Sequence, residues 1–532
     1  MGPRLCLRLK RATWCLVALF FCVGGCASIP GLSALSGKEK SRSIPVFGAK
    51  YWRIETPSLE ILSTLSEKET RQITEDLLLF RDVVHSITTL KTDYARVPTT
   101  LIILDKKTWK DLEPPKSLLG FFASSFERNW LVTSPTAIST IGRQNFQFVL
   151  QHEYAHFLVA NDRHGEVPKW FHEGWAEVIS TVRVKGDQVR IGAPPPLRYP
   201  YPSGAPHLTL RRVLGSQDLP KTPMLQGAFY AQSWSLTHFL MLGSLRSNEF
   251  NENQKKYLKA LSQGQDPQKA FESSFGWKMS TLENRLRAYA AGKEQIRSLR
   301  IDRNRFAPIP VLEIERVNAE VVANQVGRLQ LLLKQPAQAR RYFEAVLQRD
   351  PNNARARSGL GVALAALGHG EEGLAEAQMG LALDPTRGAH LDLAGVLLSL
   401  AEAAPGDPRQ ASWLRTSRQQ YRLALQQAPD SAAAYLGLGS TFLLEGQPAQ
   451  KGLADLRRGY ELAPANPQAQ WALALGLLSV AQEDEAEPLL RRIVAFGNAS
   501  PSVRAEADRR LQSITKSGPQ SIAAQSDNPP SQ

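Results

Sequence analysis

Apolar residues recur at helical spacing over 66–87, where Ile73, Leu77, Phe80 and Val84 follow a Ser66-x-x-Glu69 capping pattern and predict an amphipathic helix. Short β-branched and apolar runs at Tyr51–Glu55, Thr99–Leu104 and Trp130–Thr133 predict strands. A helix follows from near Arg143 to about Ala160, and Pro168 suits the first turn of another that runs to about Val182. Thr181–Ile191 then reads as a hairpin turning at Gly186-Asp187. Ala193–Pro206 holds too many prolines for a regular element, and helical patterning resumes from Ala228 to about Ala291. Together these elements predict an α+β domain over 46–296, a small mixed sheet plus helices, closed by a polar, Pro-bounded linker over 297–312.

The pattern changes over 313–515, where Ala, Leu and Gln dominate and Pro recurs at 351, 385, 429, 464 and 501. Val326-Gly327, Leu360-Gly361, Leu438-Gly439 and Leu475-Gly476 sit at matching positions of a period near 34 residues. Ala339, Phe343 and Pro351 fit later positions of the first unit, so the region resembles tetratricopeptide repeats, an all-α solenoid that implies a protein partner. The interval from Pro351 to Pro385 is 34 residues and the next is 44, which predicts a longer internal loop near Ala403–Gln410.

The first 25 residues have a basic start, an apolar stretch from Trp14 to Val23 and two glycines, the three zones of a secretory signal. That stretch is too short for a transmembrane helix, which needs about 20 apolar residues. Val23-Gly24-Gly25-Cys26 resembles the lipobox of bacterial lipoproteins, which implies acylation of Cys26 and a membrane held by a lipid anchor. Ala27 and Ser28 follow without the aspartate that such lipoproteins use for inner-membrane retention, so the resemblance implies an outer-membrane lipoprotein facing the periplasm. All four cysteines lie in the first 26 residues, so a chain starting at Cys26 forms no internal disulfide. Residues 26–45 read as a flexible tether and 516–532 as a disordered tail. Lys and Arg outnumber Asp and Glu by 64 to 50, but four of the cations fall in the first eleven residues and no basic run follows. The charge therefore suits a solvated surface or anionic lipid, and no nucleic-acid partner is expected.

The chemistry concentrates at His152-Glu153-Tyr154-Ala155-His156. Positions i and i+4 share a helix face, so His152 and His156 can offer two imidazoles to one zinc ion with Glu153 beside its open position. Catalytic zinc takes three protein ligands, and Glu173 lies sixteen intervening residues further on, within Trp170-Phe171-His172-Glu173-Gly174-Trp175-Ala176-Glu177. HExxH followed by this W-x-x-E-G-x-A block resembles the gluzincin metallopeptidases, especially their aminopeptidase-like branch. That resemblance implies zinc held by His152, His156 and Glu173, with Glu153 as base toward the water that zinc activates and as proton donor to the leaving amine. It also implies that Glu177 receives a ligand histidine's N–H, and that Tyr230, in a Phe-Tyr block heading a helix, stabilises the oxyanion. His164 and His172 read as structural or surface residues. The aminopeptidases' G-x-M-x-N element is absent, which points to an endopeptidase-like cleft.

Two classes of function follow. One is a lipid-tethered zinc peptidase acting on a protein or peptide substrate, with the repeats recruiting a partner or substrate. The other is a non-catalytic repeat scaffold of the cell envelope whose metallopeptidase-like domain is inactive.

Overall fold

A computed structural model describes residues 44–516 apart from 89–96, 115–117, 135–142, 162–166, 196–206, 245–246, 292–296, 301–310, 446–449 and 497–498. The signal peptide, Cys26, nearly all of the tether, the tail beyond Lys516, all but the first three residues of the Pro-rich segment and His164 lie outside the described residues.

The N-terminal unit is a mixed α+β domain. Strands β1 (Tyr51–Glu55) and β2 (Glu60–Ser63) form a hairpin, followed by helix α1 (Glu67–Ile87), β3 (Thr99–Ile103), α2 (Lys106–Asp111), β4 (Gly120–Ser124) and β5 (Asn129–Thr133). The Ser66 hydroxyl and the Glu69 side chain close the expected capping box of α1. Helices α3 (Arg143–Asn161) and α4 (Lys169–Ile179) come next, then the hairpin β6 (Arg183–Lys185) and β7 (Gln188–Ile191). Gly186 takes φ +59 in the two-residue turn between them, a conformation costly for any residue with a Cβ. Helices α5 (Leu210–Gly215), α6 (Pro223–His238), α7 (Ser247–Ser262), α8 (Pro267–Phe275) and α9 (Met279–Ala291) complete the helical layer.

The start of the linker expected at 297–312 is bound into the domain, while 301–310 lie outside the described residues. Arg297–Arg300 is strand β8, paired with β7, and just beyond the linker Ile314–Val317 is strand β9, paired antiparallel with β1. Charged residues hid both strands from a reading based on apolar runs, because an edge strand needs backbone pairing more than side-chain burial. The larger sheet has the order β4-β5-β3-β2-β1-β9, with β3 parallel to both neighbours and the other pairs antiparallel.

The rest of the described chain is helical, each helix packed on the next in sequence, as stacked helix pairs require. The pairs are α10 (Ala319–Leu332) with α11 (Pro336–Leu347), α12 (Ala354–Ala366) with α13 (Gly370–Leu383), and α14 (Arg387–Ala403) with α15 (Gln410–Gln427). Then come α16 (Ala432–Glu445) with α17 (Gln450–Leu462), α18 (Pro467–Ser479) with α19 (Glu483–Phe496), and the terminal α20 (Pro501–Lys516). The glycines of the repeat signature sit where helices meet: a Cβ on Gly327 would lie 2.6 Å from the Phe343 ring, and one on Gly361 would lie 2.6 Å from the Gly373 carbonyl. The 44-residue interval is filled mainly by longer helices, α14 with 17 residues and α15 with 18, leaving only Ala404–Arg409 between them. Among the described residues no helix is long and apolar enough to cross a membrane.

The sheet is covered on both faces. Leu101, Ile103, Phe122 and Leu131 join the core formed with α1, α3, α4 and α6. Their neighbours Ile102, Phe121, Ala123, Trp130 and Val132 point the other way, into one core with Val326, Leu329, Tyr342, Phe343 and Leu397 of the repeats. The Tyr342 hydroxyl donates to Asp111 at 2.8 Å and the Trp130 indole to Gln325 at 3.2 Å across this boundary. At the far end the array returns to the domain: α19 packs on α7, the Gln217 amide donates to the Val494 carbonyl, and Arg504 pairs with Asp218.

Candidate metal centre

Helix α3 presents His152 and His156 one turn apart, and α4 brings Glu173 across from them. Their Nε2 atoms are 3.1 Å apart, and Glu173 Oε2 lies 3.5 Å from the first and 3.4 Å from the second. A tetrahedral zinc ion with bonds of about 2.0–2.1 Å sets its donors roughly 3.3 Å apart, so this triangle fits such an ion. The contacts to Glu173 are too long for good hydrogen bonds, although the carboxylate is fully buried. This is the one such group of metal-binding side chains among the described residues.

Helix α4 in turn packs closely against α6. A Cβ on Gly174 would fall 2.2 Å from Thr237 Oγ1 and 2.3 Å from the Ser233 carbonyl, so only glycine permits this approach. The same packing brings Tyr230 of α6 to the centre, its ring edge-on to His152 with centroids 6.2 Å apart. His238 anchors the end of α6, with Nε2 2.8 Å from the Gly192 carbonyl and Nδ1 2.7 Å from the Tyr289 hydroxyl.

Burial and the surrounding charges set the protonation of the donors, favouring the metal-binding form at His156 and Glu173 and the protonated form at His152. Burial pushes the His156 imidazole down to about 4 against the pull of Glu173, so it is neutral and its lone pair is available. Burial alone would raise the Glu173 carboxyl, but Lys169, His156 and the contact with His152 hold it well below the usual carboxylate range. Burial also opposes charge on His152, yet Glu173, Glu177 and Glu153 together raise it. Glu153 borders β4, where a Cβ on Gly120 would lie 3.4 Å from its Cγ. Burial, with Glu173 and Glu177 adding to it, pushes its carboxyl up to about 7, against the pull of His152 and a backbone hydrogen bond from Phe122.

The buried Glu177 places Oε1 3.8 Å from His152 Nδ1, on the ring nitrogen away from Glu173. Thus His152, Glu153, His156, Glu173, Glu177 and Tyr230 all come together, while Cys26 lies outside the described residues. Lys169, which the sequence reading passed over, touches Glu173 Oε1 at 3.0 Å, and its spacing of four residues on one helix was the available signal. His172, expected to be structural, stacks on His156 with ring centroids 4.3 Å apart, and burial holds its imidazole well below its ordinary value.

Comparisons with known proteins bear on the repeats. The tetratricopeptide-repeat family model matches residues 330–397. A thermophilic TPR protein from Thermus thermophilus is similar at 22% identity and a TM-score of 0.34, covering 36% of this chain and 99% of its own. A MamA fragment from Desulfovibrio magneticus RS-1 is similar at 18% identity and a TM-score of 0.26, covering 38% of this chain and 97% of its own. No curated protein matches the chain. An N-terminal mixed α+β domain with a buried His-His-Glu cluster thus precedes a C-terminal tetratricopeptide-repeat domain.

Proposed function

We propose that the α+β domain is a zinc-dependent peptidase, of endopeptidase type, and that the repeats recruit its protein substrate or a protein partner. The observation that carries this reading is the triangle of His152, His156 and Glu173 donors, 3.1–3.5 Å on a side, with a carboxylate next to the first histidine. Zinc held there would supply Lewis acidity toward water and the scissile carbonyl. Glu153 takes the proton from the attacking water and returns it to the leaving amine, a task suited to a carboxyl poised near neutrality. Tyr230 donates a hydrogen bond to the developing oxyanion. Glu177 fixes the orientation of His152 through Nδ1, and Lys169 steadies Glu173 from the side away from the histidines. The HExxH and W-x-x-E-G-x-A motifs support the gluzincin assignment.

Elemental analysis of the chain from Ala27 is expected to give about one zinc per chain, lost in Glu173→Ala. Glu153→Gln is expected to keep the metal and lose about 100- to 10,000-fold in hydrolysis of an unstructured protein substrate. Unchanged hydrolysis in that variant sinks the peptidase reading.

A second reading is a repeat scaffold whose metallopeptidase-like domain is inactive, and the family match favours it, since it speaks for the repeats and not for catalysis. A chain that takes up no zinc when the ion is added would decide for it. In either case we propose acylation at Cys26 and an outer-membrane position facing the periplasm, supported by the Val23-Gly24-Gly25-Cys26 motif. Incorporation of labelled palmitate that persists in Cys26→Ser would refute the anchor.

A further inference from the structure

The first helices of successive repeats, α10, α12, α14, α16 and α18, pack side by side as one layer of the array. Such layers form the extended surfaces on which repeat proteins bind their partners. Here the turn between β4 and β5, Ser125-Phe126-Glu127-Arg128, lies on that layer. Glu127 Oε2 pairs with Arg387 at 2.9 Å, with the Ser431 hydroxyl, Arg328 and Asp392 acting on the same carboxylate. Phe126 packs on the apolar cluster of the last repeats that contains Leu436 and Trp471. At the turn's base, Trp130 donates to Gln325 of α10.

The turn is a stiff presenting device. The Ser125 hydroxyl accepts from the Glu127 and Arg128 amides at 3.2 and 3.0 Å, and Ser125 N–H donates to the Arg128 carbonyl at 3.0 Å. Arg128 points back to the sheet, bonding Thr100 at 2.6 Å and Glu60 at 3.2 Å. Only an aromatic ring and a carboxylate are therefore held out toward the repeats, and the layer answers them with an apolar patch and an arginine. Arg328 is already matched by Asp392 at 2.7 Å, which leaves Arg387 as the cation that selects the acidic group.

We propose that the layer of first helices of the repeats is a groove for a short segment in which an aromatic residue precedes a carboxylate, that Phe126-Glu127 fills it within the same chain, and that a protein partner of that chemistry competes with the turn. The inference rests on the reading of the repeats as a protein-binding array and names the chemistry they select.

The test uses the full chain and a fluorescent, cyclised synthetic peptide carrying Ser124–Asn129. Vacating the groove with Phe126→Ala and Glu127→Ala together is expected to tighten peptide binding about tenfold or more over the wild type, because the internal competitor is gone. Adding Arg387→Ala to that chain is expected to abolish the gain. Equal affinity of the two chains, or indifference to Arg387→Ala, overturns the proposal. If a peptide with lysine in place of the glutamate binds equally well, the array still binds peptides but the acidic selection is refuted. Hydrogen exchange provides a check that does not need the double variant: Arg387→Ala alone is expected to speed exchange of the amides over 124–129 several-fold while α10 and α11 stay protected. Unchanged exchange there refutes docking of the turn. None of these readouts needs metal or hydrolysis, so their failure leaves the metal centre as a separate question.

Discussion

The two faces of the six-stranded sheet are built from the same alternating strands but closed by different parts of the chain. One face is covered by the domain's own helices, and beyond that apolar layer the same helices bring His152, His156, Glu153, Glu173, Glu177 and Lys169 together at the site. The other is covered by the repeats through a large apolar core, with Tyr342 on Asp111, Trp130 on Gln325 and Arg387 on Glu127 as polar contacts beside it. Buried charge is tolerated on the first side because each group has a counter-charge or donor atom at 3–4 Å, whereas the second side holds two regions together by area. The sheet therefore joins the two regions, with the buried His-His-Glu cluster toward one side and the contact with the repeats on the other.

Removal of 319–516 tests this comparison most severely. It bares Ile102, Phe121, Trp130 and Val132, so residues 44–317 alone are expected to aggregate or lack a cooperative melt, and a soluble, sharply melting fragment would show that the array is only an appendage. Phe343→Ala should cost about 3–5 kcal/mol, because the ring fills the space between Gly327 and Gly359. Denaturant melts followed by probes on the sheet and on the repeats should shift together in that variant. Gly174→Ala, on the opposite side, should cost about 1–3 kcal/mol through overpacking against α6 and should also weaken zinc uptake. Loss of stability with unchanged uptake would uncouple helix spacing from the centre. The smallest effect is expected from Ser66→Ala, about 1 kcal/mol from the lost cap of α1, with metal content unchanged.

The features legible in the sequence were those whose signal is local. The spacing of His152 and His156, the block around Glu173 and the capping box at Ser66 each lie within a few residues, and each is found as read. Strand β9 was not legible because Ile314-Glu315-Arg316-Val317 is too short and too charged to stand out, and its identity as a strand depends on β1, far away in the chain. Strand β2, although its hairpin partner β1 is local, is only four residues long and too short a run to stand out. Placing Arg297–Arg300 in a linker followed from the same blindness: polar composition marks a boundary only when nothing distant pairs with the backbone. At the site, Lys169 went unnoticed because a lysine on a helix is ordinarily a solvated surface residue, and only the close packing of α3, α4 and α6 turns it inward.

The pairing of β1 with β9 also sets a timetable for biosynthesis. Arg53 meets Glu315, 262 residues later in the chain. At roughly 5–20 residues per second, the first strand waits on the order of ten seconds to a minute before its outer neighbour has been made. During that time its backbone is an open template for stray strands. Arg53, set among Glu55, Glu60 and finally Glu315, keeps a charge on that edge throughout the wait, so the ion pairs of the finished sheet also guard the newborn one.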